Sequence, residues 1–124
     1  MIKGIGIDII EIERIREAVG KYGDSFLKKV FTENEIKYCR NRKVLKFPEL
    51  AVRFAAKEAY AKAIGTGISG FGRRNSGVSW RDIEIVNNSR GKPLISVKGK
   101  ISKKVMVSLS HSRDYAVASV YVEK

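Results

Sequence analysis

Residues 48 to 64, PELAVRFAAKEAYAKAI, restrict the fold more than any other segment. At about 100° per residue, Leu50, Phe54 and Ala61 fall on one side of a helix and Val52, Ala56, Ala59 and Ala63 on another. A helix apolar on two sides has to be covered twice, so it belongs inside a fold. Pro48 suits its first turn, and Gly65 follows its end. Two narrow polar strips remain between the apolar ones: Arg53 with Lys57, and Glu58 with Lys62. The plain reading of the second strip is an exposed i,i+4 ion pair contributing about 0.3–0.5 kcal/mol. The sharper reading is that it lines a cleft, because a doubly covered helix has little free surface.

The covering layers are readable in outline. IKGIGIDII alternates as a strand, with Ile5, Ile7 and Ile9 on one face and Gly4, Gly6, Asp8 and Ile10 on the other. From about Glu11 the period turns helical through Ile12, Ile15 and Val19, ending near Gly20 or Gly23, with Arg14 and Arg16 flanking. Asp24 or Ser25 can cap a short helix through Val30. Thr32 to Glu35 match a capping box that opens a helix running to about Arg40. NRKVLKF has no clear period. A long glycine-rich loop, GTGISGFGRRNSGVSW, follows the central helix. Strands at Ile83–Ile85 and LISV, a short helical turn at 101–104, and a hairpin of VMVSLS and YAVASVYV around HSRD complete the chain. A strand, then helices, then several strands argues an α+β fold with an antiparallel sheet. The length of 124 residues suits one domain spanning 1–124.

With 25 Lys and Arg against 13 Asp and Glu, the formal charge is +12, and both halves of the chain share it. Such a field attracts polyanions: nucleic acid, an anionic membrane surface, a phosphorylated cofactor or an acidic protein. One cysteine, Cys39, excludes an internal disulfide and a structural zinc site built on thiolates. No apolar run approaches the roughly 20 residues of a membrane span, and MIKGIGIDII lacks the features of a signal peptide. A cytoplasmic protein is expected.

Asp8 reads either as a solvated residue or cap at a strand–helix junction, or as one carboxylate of a metal site. One or two carboxylates completed by substrate phosphates make a usual Mg²⁺ site, and Asp8 with Glu58 would supply them. His111, the only histidine, lies at the hairpin and reads alone as an ordinary loop residue. The glycines after Ile64 suit an anion cradle of exposed amides, although they match neither the Walker pattern nor GxGxxG.

Three separated stretches, GIDIIEIERI, RFAAKEAYAKAIGTGI and SLSHSRDYAVASV, resemble the signatures of bacterial holo-acyl-carrier-protein synthases, the small phosphopantetheinyl transferases. The similarity continues through DIEI and GKP and covers nearly the whole chain in order. It implies Mg²⁺-dependent transfer of 4'-phosphopantetheine from coenzyme A to a serine of apo acyl carrier protein, in fatty acid biosynthesis. The family's metal ligands fall on Asp8 and Glu58, and Lys62 joins them as a catalytic residue. Coenzyme A contacts fall on Lys57 and Lys62, and also on Arg53 and Gly65. His111 matches the histidine near the nucleotide, and Arg14 falls where the family meets its acidic carrier. Homotrimers with active sites between subunits are implied as well. Gly67 to Trp80 departs from the family pattern: it is longer and adds Arg73 and Arg74, and it is expected to form a mobile flap near the entrance or the subunit edge.

A basic nucleic-acid-binding domain would share the charge, but the aromatics are scattered without an RNP-like or zinc-finger pattern. Two acidic partners, coenzyme A and the carrier, account for the charge without nucleic acid. A purely structural interaction protein would leave Asp8 and Glu58 far apart.

Overall fold

The computed structural model describes residues 1–68 and 78–124. In chain order these form β1 (Ile2–Glu11), α1 (Ile12–Tyr22), α2 (Asp24–Val30), α3 (Glu33–Cys39), β2 (Arg40–Asn41), β3 (Val44–Leu45) and α4 (Phe47–Ile64). A 3₁₀ turn at Trp80–Asp82 leads into β4 (Ile83–Asn87), β5 (Pro93–Val97), β6 (Lys100–Ile101), β7 (Val105–His111) and β8 (Tyr115–Glu123). The main sheet has the order β1-β8-β7, every pairing antiparallel, and β4-β5-β6 form a second antiparallel sheet. The α+β expectation holds.

Helix α4 lies between two clusters of buried side chains. Leu50, Ala51, Val52 and Ala61 pack with Ile12, Ile15, Leu27 and Phe31 of the helical layer. Ala55, Ala56, Ala59 and Ala63 pack with Ile83, Ile95, Ala118 and Val120 of the two sheets. Its alanines allow this double burial, since small side chains bring a helix close to both neighbours. The approach to β1 is closest of all. A Cβ on Gly4 would sit 1.9 Å from Ala63 O, and one on Gly6 would sit 1.8 Å from Ala59 O. The glycine face of β1 therefore lets α4 lie on the strand backbone, and it sets Asp8, on the same face, beside the helix.

The capping box at α3 forms as expected, with Thr32 and Glu35 each accepting from the other's backbone amide. Three local expectations change. Residues 101–104 do not form a helical turn: Lys98 and Gly99, at φ 50° and 85°, reverse the chain so that Lys100 and Ile101 pair with Val97 and Ser96. NRKVLKF contains a two-rung hairpin, β2 with β3, with Arg42 at φ 58° in its turn. Helix α2 takes Gly23 as its N-cap, with no side-chain cap from Asp24 or Ser25. The flap expected over Gly67–Trp80, with Arg73 and Arg74, falls largely outside the described residues; its ends meet in a bridge between Ile68 and Val78.

Candidate active site

Asp8 lies in the body of β1, opposite Ala118 of β8, and the strand continues to Glu11, so it caps nothing. Glu58 projects from the flank of α4. Both line one cleft of about 340 Å³, together with Arg14, Ile15, Phe26 and Phe54. The two carboxyls are close enough to act on each other: burial first, and then the Asp8 charge, push the Glu58 pKa above its ordinary value, against the opposing pull of Lys62. Lys62 does not pair with Glu58 as helical spacing suggests. Its Nζ donates to Asp8 Oδ1 at 2.9 Å and to Ile7 O at 3.0 Å, bridging helix to strand. Its side chain is 53 % exposed, against 17 % for Asp8.

The donor set fits Mg²⁺. Among the described residues no three His, Cys, Asp or Glu side chains gather to hold a metal. The cleft instead supplies two crowded carboxylates, whose repulsion a divalent cation relieves and whose small number leaves coordination positions for phosphate and water.

A second cleft, of about 470 Å³, opens near the start of α4 and shares no lining residue with the first. Arg53, Glu49, His111, Tyr38, Asn87 and Lys92 line it. Arg53 is held from three directions: Nη1 donates to Glu49 Oε2 at 3.1 Å, Nη2 donates to Asn87 Oδ1 at 2.7 Å, and the guanidinium stacks 4.3 Å above the Tyr38 ring. His111 Nε2 lies 4.0 Å from Glu49 Oε1. So Arg53 and His111, distant in sequence, meet in one basic cleft. Sequence reasoning passed over Glu49, Tyr38 and Asn87. The i,i+4 spacing of Glu49 and Arg53 was a usable signal; no pattern pointed to the other two.

Two sequence expectations find no support in this geometry. Lys57 reaches neither cleft. Its side chain is fully buried and its three donors are taken by Glu35 Oε1 at 2.6 Å, Val30 O at 2.8 Å and Trp80 O at 3.0 Å. The amides of Gly65, Thr66 and Gly67 do not face outward as an anion cradle, since all three turn back on Ala61 O; Gly70, Gly72 and Gly77 lie outside the described residues. Gly65, at φ 79°, closes the C-terminus of α4, and its amide serves the cap.

Residues 4–120 match the sequence profile of the 4'-phosphopantetheinyl transferase superfamily. The holo-[acyl-carrier-protein] synthase of Chloroherpeton thalassium is 50% identical over 123 residues, with 96% of each chain covered. The chain belongs to this superfamily, among its holo-[acyl-carrier-protein] synthases. Two solved structures of such synthases resemble its fold closely. That from Bacillus anthracis, in complex with CoA (3',5'-ADP), superposes with a TM-score of 0.78 at 43% identity, covering 100% of this chain and 98% of that one. That from Helicobacter pylori, in complex with coenzyme A, gives a TM-score of 0.78 at 31% identity, covering 96% and 99%. Holo-[acyl-carrier-protein] synthases are enzymes, and both clefts of this one are accordingly candidate substrate surfaces.

Proposed function

We propose that this chain transfers 4'-phosphopantetheine from coenzyme A to a serine of apo acyl carrier protein, with Mg²⁺ required, serving fatty acid biosynthesis in the cytoplasm. The serine hydroxyl gives its proton to water as its oxygen bonds the phosphorus that carries pantetheine, the phosphoanhydride bond breaks, and adenosine 3',5'-bisphosphate leaves. The observation that carries the reading is the meeting of Asp8 and Glu58, fifty residues apart in sequence, in one cleft of a member of this family.

Asp8 and Glu58 would hold the cation. When bound, Mg²⁺ supplies Lewis-acid neutralisation of the diphosphate as its anhydride bond breaks. Lys62, half exposed at the cleft edge, adds a positive charge where phosphate charge accumulates. Arg53 and His111 would face the nucleotide end of coenzyme A, and Arg14, exposed on the rim of the Asp8 cleft, would meet the acidic carrier. Gly65 serves by ending α4 where Lys62 is needed.

Resemblance to the family makes the working enzyme, on the same reading, a homotrimer with active sites between subunits. The outer face of the main sheet supports this. Ile5, Ile7 and Ile9 of β1, 57%, 61% and 64% exposed, run beside Tyr121 of β8 and Met106 of β7 as an apolar patch. Light scattering tests the mass of the assembly. Among the described residues no helix is long and apolar enough to cross a membrane.

The decisive test is a mass measurement on an apo carrier after incubation with coenzyme A, Mg²⁺ and the protein. The phosphopantetheine increment is expected with Mg²⁺ and is lost with chelator. A Glu58→Gln variant is expected to lose about a hundredfold or more in turnover. Full turnover in that variant would remove Glu58 from the site.

A further inference from the structure

Lys57, next to Glu58 in sequence, is fully buried and lines neither cleft. Its ammonium joins the end of α2 through Val30 O, the 3₁₀ turn through Trp80 O, and α3 through Glu35 Oε1. Glu35, 1% exposed, passes the connection on: its second oxygen accepts the amide of Ile85 in β4 at 2.9 Å, and its first also accepts from Thr32 N. Two charged side chains thus tie four elements to α4 at one point. The Trp80 ring stacks on Phe54 at 4.8 Å, and Phe54 walls the Asp8–Glu58 cleft.

The direction of this tie matters. Ala59 and Ala63 press on Gly6 and Gly4 of β1. Lys57 precedes Ala59 by two residues, which turns it about 160° around the helix from that contact. The helix is held between the strand backbone on one side and the Lys57–Glu35 pair on nearly the opposite side. Glu58 occupies the flank between them, so a roll of α4 changes where its carboxylate sits relative to Asp8.

We propose that Lys57 is a positioning residue which, with Glu35, clamps α4 from the side opposite β1 and so aims Glu58 into the Asp8 cleft, without touching coenzyme A. This rests on the transferase reading above. The clamp takes an ammonium because three acceptors converge on one small, fully desolvated point, a geometry that the planar fork of arginine does not match.

The test compares Lys57→Met, Lys57→Arg and Glu35→Gln with the wild type, at a temperature below the melting point of every variant. Four quantities are read: kcat and KM with coenzyme A and apo carrier, the Kd of coenzyme A alone by calorimetry, and amide exchange at Thr32 and Ile85. For Lys57→Met we expect kcat to fall by about tenfold or more, KM and Kd for coenzyme A to stay within about twofold, and exchange at Ile85 to accelerate. Lys57→Arg should not restore kcat. Glu35→Gln should lower kcat with KM unchanged, whereas a phosphate-binding lysine released from its carboxylate would lower KM. The proposal is overturned by a tenfold rise in Kd with Ile85 still protected, by unchanged kcat in Lys57→Met, or by lowered KM in Glu35→Gln. Should Lys57→Met not fold, Glu35→Gln decides. If the wild-type chain modifies no carrier, the transferase reading fails on its own, and the exchange measurements still report whether the clamp exists.

Discussion

The two flanks of α4 use the same residue type for opposite ends. On the β1 flank, Lys62 is half exposed and bonded to a carboxylate that remains open to a cleft. On the α3 flank, five residues earlier, Lys57 has no exposed surface and no donor to spare. The first flank rests on absent side chains, since Gly4 and Gly6 let backbone meet backbone. The second rests on an internal ion pair. The contrast teaches that a lysine's role here follows from how many acceptors its own fold provides: three leave it structural, two at an open edge leave it free for ligand.

The sharpest way to break the first flank is Gly6→Val. Its Cβ alone would stand 1.8 Å from Ala59 O and 2.8 Å from the Ala59 carbonyl carbon, and backbone cannot step aside. The cost should exceed the roughly 1–3 kcal/mol of ordinary overpacking, read as loss of soluble folded protein. Gly20→Ala is the control: nothing stands within 4 Å of its Cβ, and within α1 the change should stabilise by up to about 1 kcal/mol.

Breaking the second flank should cost a comparable amount. Lys57→Met leaves the Glu35 carboxylate buried without its counter-charge, which costs about 3–5 kcal/mol. For a chain of this length that is a fall in Tm of about 10–20 °C, measurable by calorimetry.

Much of this was legible in the sequence, and particular residues show where legibility stopped. The double burial of α4 followed from its two alanine-rich stripes, and the glycine face carrying Asp8 followed from alternation in β1. Both are periodic signals, and periodicity reports which side of an element is covered. Lys57 and Lys62 look alike by that measure, because a sequence shows the charge but not what it meets. Glu35 was already accounted for by its capping box, so nothing called for a second partner twenty-two residues away. The pairing of Lys100 and Ile101 was hidden because the polar residues around them carry little periodic signal, whereas the left-handed turn at Lys98–Gly99 decided it. Which carboxylates and cations share a cleft depended on the register of β1 against β8 and on the contact of α4 with β1, and both are long-range.

Lys62→Ala sharpens the comparison from the other side. Its pair with Asp8 is partly exposed, so stability should change by less than about 1 kcal/mol. Turnover should fall by about 10²-fold through lost stabilisation of phosphate charge. A variant that melted as far below the wild type as Lys57→Met would erase the distinction between the two lysines.

The smallest expected effect concerns Glu58 and is a matter of sign. Burial and the Asp8 charge raise its pKa above the ordinary 4.5, so the folded state binds this proton more tightly than the unfolded chain does. The resulting penalty on the ionised form is absent below about 4.5, grows as pH rises through the raised pKa, and is complete above it. Glu58→Gln removes that penalty. The variant should therefore match the wild type near pH 4 and melt higher near pH 8, where the ionised Glu58 carries the penalty of burial and of the Asp8 charge. Adding Mg²⁺ at the higher pH should reverse the order, because a cation bound by the folded state raises the wild-type Tm by mass action, while the uncharged amide of the variant holds it poorly. A variant that never melts above the wild type without metal would mean that Asp8 and Glu58 do not repel, and the cleft would then not be the electrostatically strained pair on which metal binding is argued.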